Sequence, residues 1–188
     1  MLMALAAEKQ TDMLYAPVLA ANAAHPHGWP LRIIVASQTE ARHNRADWAP
    51  SHLISIRATG TKLLSMIDLP EERHLQLQFG DVMDPDEPDA AKLAHIEAAF
   101  AFIDTLPADA HLLVHCLRGI GRSTALTLGI LGRYMEPDEA AAALHALRPE
   151  AKPNRHVVGL CDTALGLKGK LGKQALRFPA KVWKPAKG

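Results

Sequence analysis

The sequence predicts an α/β layered domain, and two features indicate it. Short apolar segments of strand length alternate with longer segments whose apolar residues recur at helical spacing. Strands interleaved with helices are typical of a sheet covered by helices. The length of 188 residues suits one such domain with extensions, because a chain of this size buries roughly 70% of its unfolded surface. We expect the domain to span residues 31–167.

The predicted strands are short, apolar and bounded by polar or proline-containing segments. In order along the chain they are Leu31–Ala36, Leu53–Ile56, Leu75–Phe79 and Leu112–His115. The third alternates apolar and polar residues, which is the pattern of a strand with one buried face.

The predicted helices lie between and after these strands. Apolar residues at steps of three, four and three define one face of a helix: Leu93, Ile96, Phe100 and Ile103. A largely apolar helix is predicted at Ser123–Tyr134. Another is predicted at Pro137–Leu147, because proline is favoured in the first turn of a helix.

The net charge of +1 hides an uneven distribution. Residues 1–162 carry 14 basic and 20 acidic side chains, whereas residues 163–188 carry seven basic and no acidic ones. We expect residues 1–30 to be an N-terminal extension and residues 168–188 to be a basic tail. The tail offers a contact for an anionic partner or a membrane surface, but packing of its apolar residues on the domain is the favoured interpretation. No nucleic-acid partner is expected.

Composition excludes several classes of protein. No apolar run approaches the roughly 18 residues of a membrane span. Two cysteines cannot form a disulfide framework or a four-thiolate zinc site, and no metal or cofactor is expected. The N-terminus lacks a basic segment followed by an apolar one, so no secretory signal is predicted and a cytoplasmic location is expected.

The segment that carries chemistry is Leu112-Leu-Val-His-Cys-Leu-Arg-Gly-Ile-Gly-Arg-Ser-Thr-Ala125. An apolar strand leads into Cys116, a loop with two glycines follows, and Arg122-Ser123 begins a helix. Backbone N–H groups of such a loop form a cradle for a phosphate-sized anion, and the same groups stabilise a thiolate. Arg122 adds a planar guanidinium that holds two phosphate oxygens at once.

These residues resemble the His-Cys-x5-Arg-Ser/Thr signature of the cysteine-dependent protein tyrosine phosphatase superfamily. The likeness is closest to dual-specificity-like phosphatases, including short bacterial tyrosine phosphatase-like proteins. It implies a three-layer phosphatase fold with a short mixed or parallel sheet. It also implies a phosphate-binding loop formed by Leu117, Arg118, Gly119, Ile120, Gly121 and Arg122.

The resemblance further implies a reaction. Cys116 is expected to attack phosphorus and form a phosphocysteine, in a protein tyrosine or dual-specificity phosphatase acting on a phosphorylated protein or a small phosphomonoester. Supporting roles fall on His115 behind the loop, on Ser123 near the sulfur, and on Asn154, which follows a proline and would brace the loop. The alternatives are a phosphoinositide phosphatase, to which Arg118 points weakly, and a catalytically idle module that binds phosphorylated partners.

A phosphatase of this kind needs an acid for the leaving group. In the superfamily this is an aspartate on a loop after the preceding strand, and here that loop begins Gly80-Asp81. Asp81 is the favoured candidate, and Asp84 and Asp86 are the alternatives because the loop is long. Cys161 is expected to be a small buried residue on a C-terminal helix, with a redox partnership to Cys116 as the alternative.

Overall fold

The computed structural model describes residues 32–43, 49–61 and 69–179. Its strands are β1 (Arg32–Ser37), β2 (His52–Arg57), β3 (His74–Gln78) and β4 (His111–Cys116). Its α-helices are α1 (Gln38–His43), α2 (Leu93–Asp104), α3 (Arg122–Leu131), α4 (Pro137–Leu147), α5 (Arg155–Leu165) and α6 (Lys170–Ala175). A short 3-10 turn, Glu71–Arg73, precedes β3. The expected N-terminal extension and the last nine residues of the tail lie outside the described residues.

The four strands form one parallel sheet in the order β1-β4-β2-β3. The middle strands β4 and β2 are buried along almost their whole length, as is expected when helices cover both faces of a parallel sheet. The predicted α/β class with a parallel sheet is therefore confirmed.

The two faces of the sheet are covered unequally. One face packs against α2 and α3, on which α4 to α6 pack in turn. This side holds the main core, which includes Phe79, Ile96 and Leu126. The other face holds a small cluster in which Ala41 of α1 packs on Ile34 and Leu113. All ten residues of α3 are buried, so this helix lies at the centre of the larger layer.

Two predicted boundaries change in the structure. Helix α3 ends at Leu131 rather than at Tyr134, because Gly132 follows and the next backbone bonds tighten to three-residue spacing, as in Tyr134 N to Leu131 O at 2.9 Å. The expected domain end at residue 167 lies inside the packed structure. Leu171 and Phe178 belong to the main core, with exposures of 0% and 8%, and α6 packs on α4 and α5.

No helix among the described residues is long and apolar enough to cross a membrane.

Candidate functional site

The site forms where the carboxyl ends of parallel strands meet at one edge of the sheet, which is the usual place for ligands in open α/β sheets. Cys116 is the last residue of β4 and is paired in register with Ser37, the last residue of β1. Strand β3 ends at Gln78, and the acidic loop, residues 80–89, begins just beyond it.

Three carbonyl groups of the loop after Cys116 accept hydrogen bonds from the chain that surrounds the loop. Leu117 O accepts a hydrogen bond from Gln38 N at 3.2 Å, Ile120 O accepts one from Lys152 N at 2.7 Å, and Gly121 O accepts one from Asn154 N at 3.2 Å. In a trans peptide the carbonyl and the following N–H point in opposite directions. The N–H groups that follow these three carbonyls therefore point away from the surrounding chain and toward the inside of the loop, as an anion cradle requires.

The Cys116 thiol lies within this loop and is 1% exposed. Its Sγ accepts a hydrogen bond from Gly119 N at 3.3 Å and lies 3.2 Å from Ser123 Oγ. Both groups can donate to a thiolate, and hydrogen bonds to the charged form favour it. This arrangement suits a nucleophilic sulfur.

Gly119 is required by two features of the loop. Its φ of +70° lies in the left-handed region, which side chains other than that of glycine disfavour. A Cβ at this position would also overlap the backbone of Ala36 and Ser37 at the end of β1. The glycine thus lets the loop lie directly against the neighbouring strand.

Arg122 begins α3 and is 5% exposed. Its Nη1 donates to Phe79 O at 2.8 Å, which anchors the guanidinium to the end of β3. Its Nε is buried and has no hydrogen-bond partner within the described chain. A buried donor without a partner is costly, so this atom is available for an anion in the loop.

Asp81 lies against Gly121, the last loop residue before this arginine. A Cβ on Gly121 would overlap its carboxylate, which shows how closely the two residues approach. Asp84 turns back on the acidic loop, where its Oδ1 accepts from Asp86 N at 3.0 Å. All three candidate acids are exposed, so exposure does not separate them. Of the three candidate acids, the structure brings Asp81 to the phosphate-binding loop.

Asn154 is buried and joins the two loops. Its Nδ2 donates to Asp81 Oδ1 at 2.8 Å and to Val82 O at 3.0 Å. Its Oδ1 accepts from Val157 N at 3.1 Å, which caps the N-terminus of α5. Because its own N–H donates to Gly121 O, Asn154 contacts the acidic loop, the phosphate-binding loop and a helix.

The remaining predicted residues lie as follows. Leu117 and Arg118 are exposed on the rim of the loop. Cys161 is buried on α5 against Gly129, about 10 Å along α3 from Arg122 at 1.5 Å per residue. Burial raises the pKa of the Cys161 thiol far above its ordinary value. Both cysteines are free thiols, and the structure does not bring them together.

His115 lies beneath the loop and is 3% exposed. Burial lowers its pKa to about 4, with the Cys116 backbone acting in the opposite direction, so the ring is neutral near pH 7. Its Nε2 lies 2.7 Å from Ser55 Oγ, and that hydroxyl lies 2.9 Å from His74 Nε2. Ser55 and His74 are not among the site residues predicted from the sequence. The available signal was a lone serine within the apolar run of β2.

Among the described residues no three histidine, cysteine or carboxylate side chains cluster as ligands for a metal ion.

Comparison with known proteins places this geometry in a structural context. No family model matches the chain, and no curated protein sequence matches it. Several solved structures are similar to it in fold. Human DUSP28 matches with a TM-score of 0.55 and 22% identity over 72% of this chain and 94% of that one.

Two further structures extend the likeness. DUSP15 matches with a TM-score of 0.55 and 20% identity over 87% of this chain and 96% of that one. The human tyrosine phosphatase-like serine/threonine/tyrosine-interacting protein matches with a TM-score of 0.51 and 22% identity, over 71% of this chain and 87% of that one. The chain therefore has the fold of the cysteine-based dual-specificity and tyrosine phosphatases.

Proposed function

We propose that the protein is a phosphomonoesterase that works through a phosphocysteine on Cys116. The observation that carries the proposal is the meeting of a thiol and a carboxylate at one anion cradle. The thiol of Cys116 lies inside the loop, and Asp81, which lies 35 positions earlier in the sequence, is held against Gly121 of the same loop. A module that only binds phosphate needs the cradle but neither the nucleophile nor the acid.

In the first step the Cys116 thiolate attacks phosphorus and forms a P–S bond. The bond from phosphorus to the leaving oxygen breaks, and that oxygen takes the proton of Asp81. The loop N–H groups and Arg122 hold the three equatorial oxygens as charge develops on them.

In the second step water attacks phosphorus and the P–S bond breaks. The Asp81 carboxylate takes a proton from the water, and inorganic phosphate leaves. The Ser123 hydroxyl, 3.2 Å from the sulfur, donates to the departing thiolate and makes it a better leaving group. A thiol with this role works only while it is reduced, which agrees with the expected cytoplasmic location.

A second candidate is a binding module on the same scaffold. One of the similar folds belongs to a protein whose name describes it as phosphatase-like and interacting. On this reading the cradle captures a phosphorylated partner and Cys116 is a buried strand-end residue. The two candidates predict different behaviour for a variant at Cys116.

Hydrolysis of an aryl phosphate by the wild type and three variants separates them. We expect Cys116→Ser to abolish turnover and Asp81→Asn to slow it by roughly 10²-fold or more, the usual contribution of a general acid. Both should still bind inorganic phosphate, because the cradle remains. Asp84→Asn is the matched control on the same loop and should match the wild type.

Phosphate binding without hydrolysis in the wild type would instead support the binding module. Loss of turnover in Asp84→Asn, with Asp81→Asn unaffected, would show that the acid was misassigned. A panel of phosphotyrosine, phosphothreonine and phosphoinositide substrates then identifies the class of phosphomonoester.

A further inference from the structure

The two ends of the acidic loop meet at its last residue, Asp89. Gly80 N donates to Asp89 O at 2.6 Å, which closes the loop at its base. The Asp89 side chain packs on the same glycine, because a Cβ on Gly80 would overlap the Asp89 carboxylate. Asp81 is the next residue along the chain. Asp89 therefore lies against the backbone from which the candidate acid projects.

The Asp89 carboxylate also joins the acidic loop to the turn that follows β2. Thr59 N lies 3.2 Å from Asp89 Oδ1 and 3.3 Å from Oδ2, and the Thr59 hydroxyl donates to Oδ1. These contacts cross 30 positions of sequence. Hydrogen bonds to a carboxylate are stronger than those between neutral groups. We call Thr59 and Asp89 the Asp89 clamp.

The turn that carries Thr59 gives the Asp89 clamp a fixed support. Ala58 O accepts from Thr61 N at 3.2 Å and from Thr61 Oγ1 at 2.6 Å. Arg57, the last residue of β2, donates from Nη1 to Thr61 O at 2.5 Å. A four-residue turn pairs its first carbonyl with its fourth N–H, so the second N–H, that of Thr59, is available to Asp89. The clamp thus ties the acidic loop to the sheet.

The peptide between Phe79 and Gly80 connects the Asp89 clamp to the candidate site. Its carbonyl accepts from Arg122 Nη1 at 2.8 Å, and its N–H donates to Asp89 O at 2.6 Å. A planar peptide held at both polar groups cannot rotate without losing one of these bonds. Because this peptide directly precedes Asp81, it sets the direction in which the acidic loop leaves the sheet.

We propose that Thr59 and Asp89 are positioning residues that hold Asp81 where it protonates the leaving group. The proposal rests on the function proposed above. Asn154 holds the Asp81 carboxylate through Oδ1, whereas the Asp89 clamp holds the backbone at the base of the loop. An acid on a loop that opens at its base spends time away from the leaving oxygen. Small displacements of a catalytic group lower the rate, so the clamp contributes to turnover.

Two aryl phosphates separate a positioning role from a merely structural one. Phenyl phosphate expels a phenol as basic as the tyrosine side chain, with a pKa of about 10, so its departure needs the acid. The nitro group of p-nitrophenyl phosphate makes its phenol a better leaving group, which depends less on the acid. We expect Asp89→Ala to lower kcat/KM about tenfold for phenyl phosphate and less than about twofold for p-nitrophenyl phosphate. In the Asp81→Asn protein it should have no further effect, because the acid is already absent.

Thr59→Ala should show the same dependence on the leaving group with a smaller loss, of about threefold for phenyl phosphate. Thr59→Ser retains the hydroxyl and should restore the wild-type values. Glu87→Ala is the matched control, because it removes an exposed carboxylate from the same loop. Equal losses for the two substrates, or a further loss in the Asp81→Asn protein, would overturn the proposal. If Asp89→Ala does not fold, Thr59→Ala at its exposed position decides the question.

Hydrogen exchange of the Gly80 amide tests the Asp89 clamp without any substrate. Exchange of this donor requires the acidic loop to open at its base. We expect exchange to be about tenfold faster in Asp89→Ala than in the wild type or in Glu87→Ala. Faster exchange in a protein that hydrolyses neither aryl phosphate would support the clamp and reject the phosphatase. Unchanged exchange in Asp89→Ala would show that the carboxylate does not hold the loop, and the proposal would fail.

Discussion

At the scale of single residues, the Asn154 side chain has two structural roles that different substitutions can separate. Its Oδ1 caps α5 through Val157 N, and its Nδ2 holds Asp81 and the Val82 carbonyl. The first role concerns stability, because an N-cap satisfies a free backbone donor of the helix. The second concerns the distance between the acid and the cradle. A side chain that caps but does not reach Asp81 distinguishes the two.

Serine is such a side chain, since it caps helices as well as asparagine does but is shorter. We expect Asn154→Ser and Asn154→Ala both to reduce aryl phosphate turnover at least about tenfold, because small displacements of catalytic groups are costly. Only Asn154→Ala should also lose about 1 kcal/mol of stability through the missing cap. Steady-state kinetics and urea denaturation measure the two effects. Wild-type turnover in Asn154→Ser would show that Asp81 needs no tether.

At the scale of elements, the packing of α3 on α5 depends on a small residue. A Cβ on Gly129 of α3 would overlap Cys161 of α5. Gly159 also lies on α5, and a Cβ there would meet no atom within 4 Å. The chain therefore offers two helical glycines, one at a tight contact and one in open space.

Substitution of each by alanine should change stability in opposite directions. Gly159→Ala should gain about 0.5–1 kcal/mol, because alanine loses less backbone entropy in a helix. Gly129→Ala should lose about 1–3 kcal/mol, because the extra methyl forces the two helices apart. Urea denaturation of both variants measures the difference. A gain in both would show that the contact between α3 and α5 tolerates a methyl group.

Local sequence patterns indicate the elements because their causes are local. Strand β4 contains an apolar run at residues 112–114, and the apolar residues of α2 repeat at helical spacing. Helix α6 has no such pattern: it is six residues long and contains two lysines, a glycine and a glutamine. It is held by tertiary contacts, with Leu171 in the core and the Asp162 carboxylate accepting from Gly169 N and Leu171 N. No helix was therefore predicted from the sequence at this position.

The features of the candidate site are likewise of two kinds: some depend on neighbouring residues and others on residues far apart in the sequence. The order of Cys116, the glycines and Arg122 is local, so the loop could be predicted from the sequence alone. The contact of Asn154 with Asp81 joins residues 73 positions apart, and Ser55 and His115 are 60 apart. Contacts of that separation follow from strand order, which short patterns do not encode. For this reason the sequence could not choose among the three candidate acids, and it did not indicate that Ser55 and His74 lie near His115.

At the scale of the whole molecule, one ion pair joins the two sides of the cradle. Arg148 Nη1 lies 2.9 Å from Glu40 Oε1, across 108 positions of sequence. Glu40 also accepts from Ser37 N at 2.6 Å and so caps α1. The segment that carries each partner donates to a carbonyl of the phosphate-binding loop, through Gln38 N to Leu117 O and through Lys152 N to Ile120 O.

This pair makes stability depend on pH in a defined direction. Burial alone would raise the pKa of Glu40, but hydrogen bonds from Arg148 and Ser37 outweigh it and hold the pKa below the ordinary value of 4.5. A carboxyl with a lowered pKa in the folded state stabilises the fold fully above its unfolded pKa. That contribution is lost as the pH falls through the folded pKa.

Glu40→Gln removes the charge but keeps an oxygen that can cap α1. At pH 7 we expect it to be less stable than the wild type by up to about 1 kcal/mol, the range for partly exposed ion pairs. The two proteins should become equally stable below the folded pKa of Glu40, because the wild-type carboxyl is then also uncharged. Thermal unfolding from pH 7 down to pH values below 4.5 follows the convergence. Glu97→Gln, at an exposed position on α2, is the control. If Glu40→Gln remained less stable than the wild type by the same amount in acid, Glu40 would act through its shape rather than its charge.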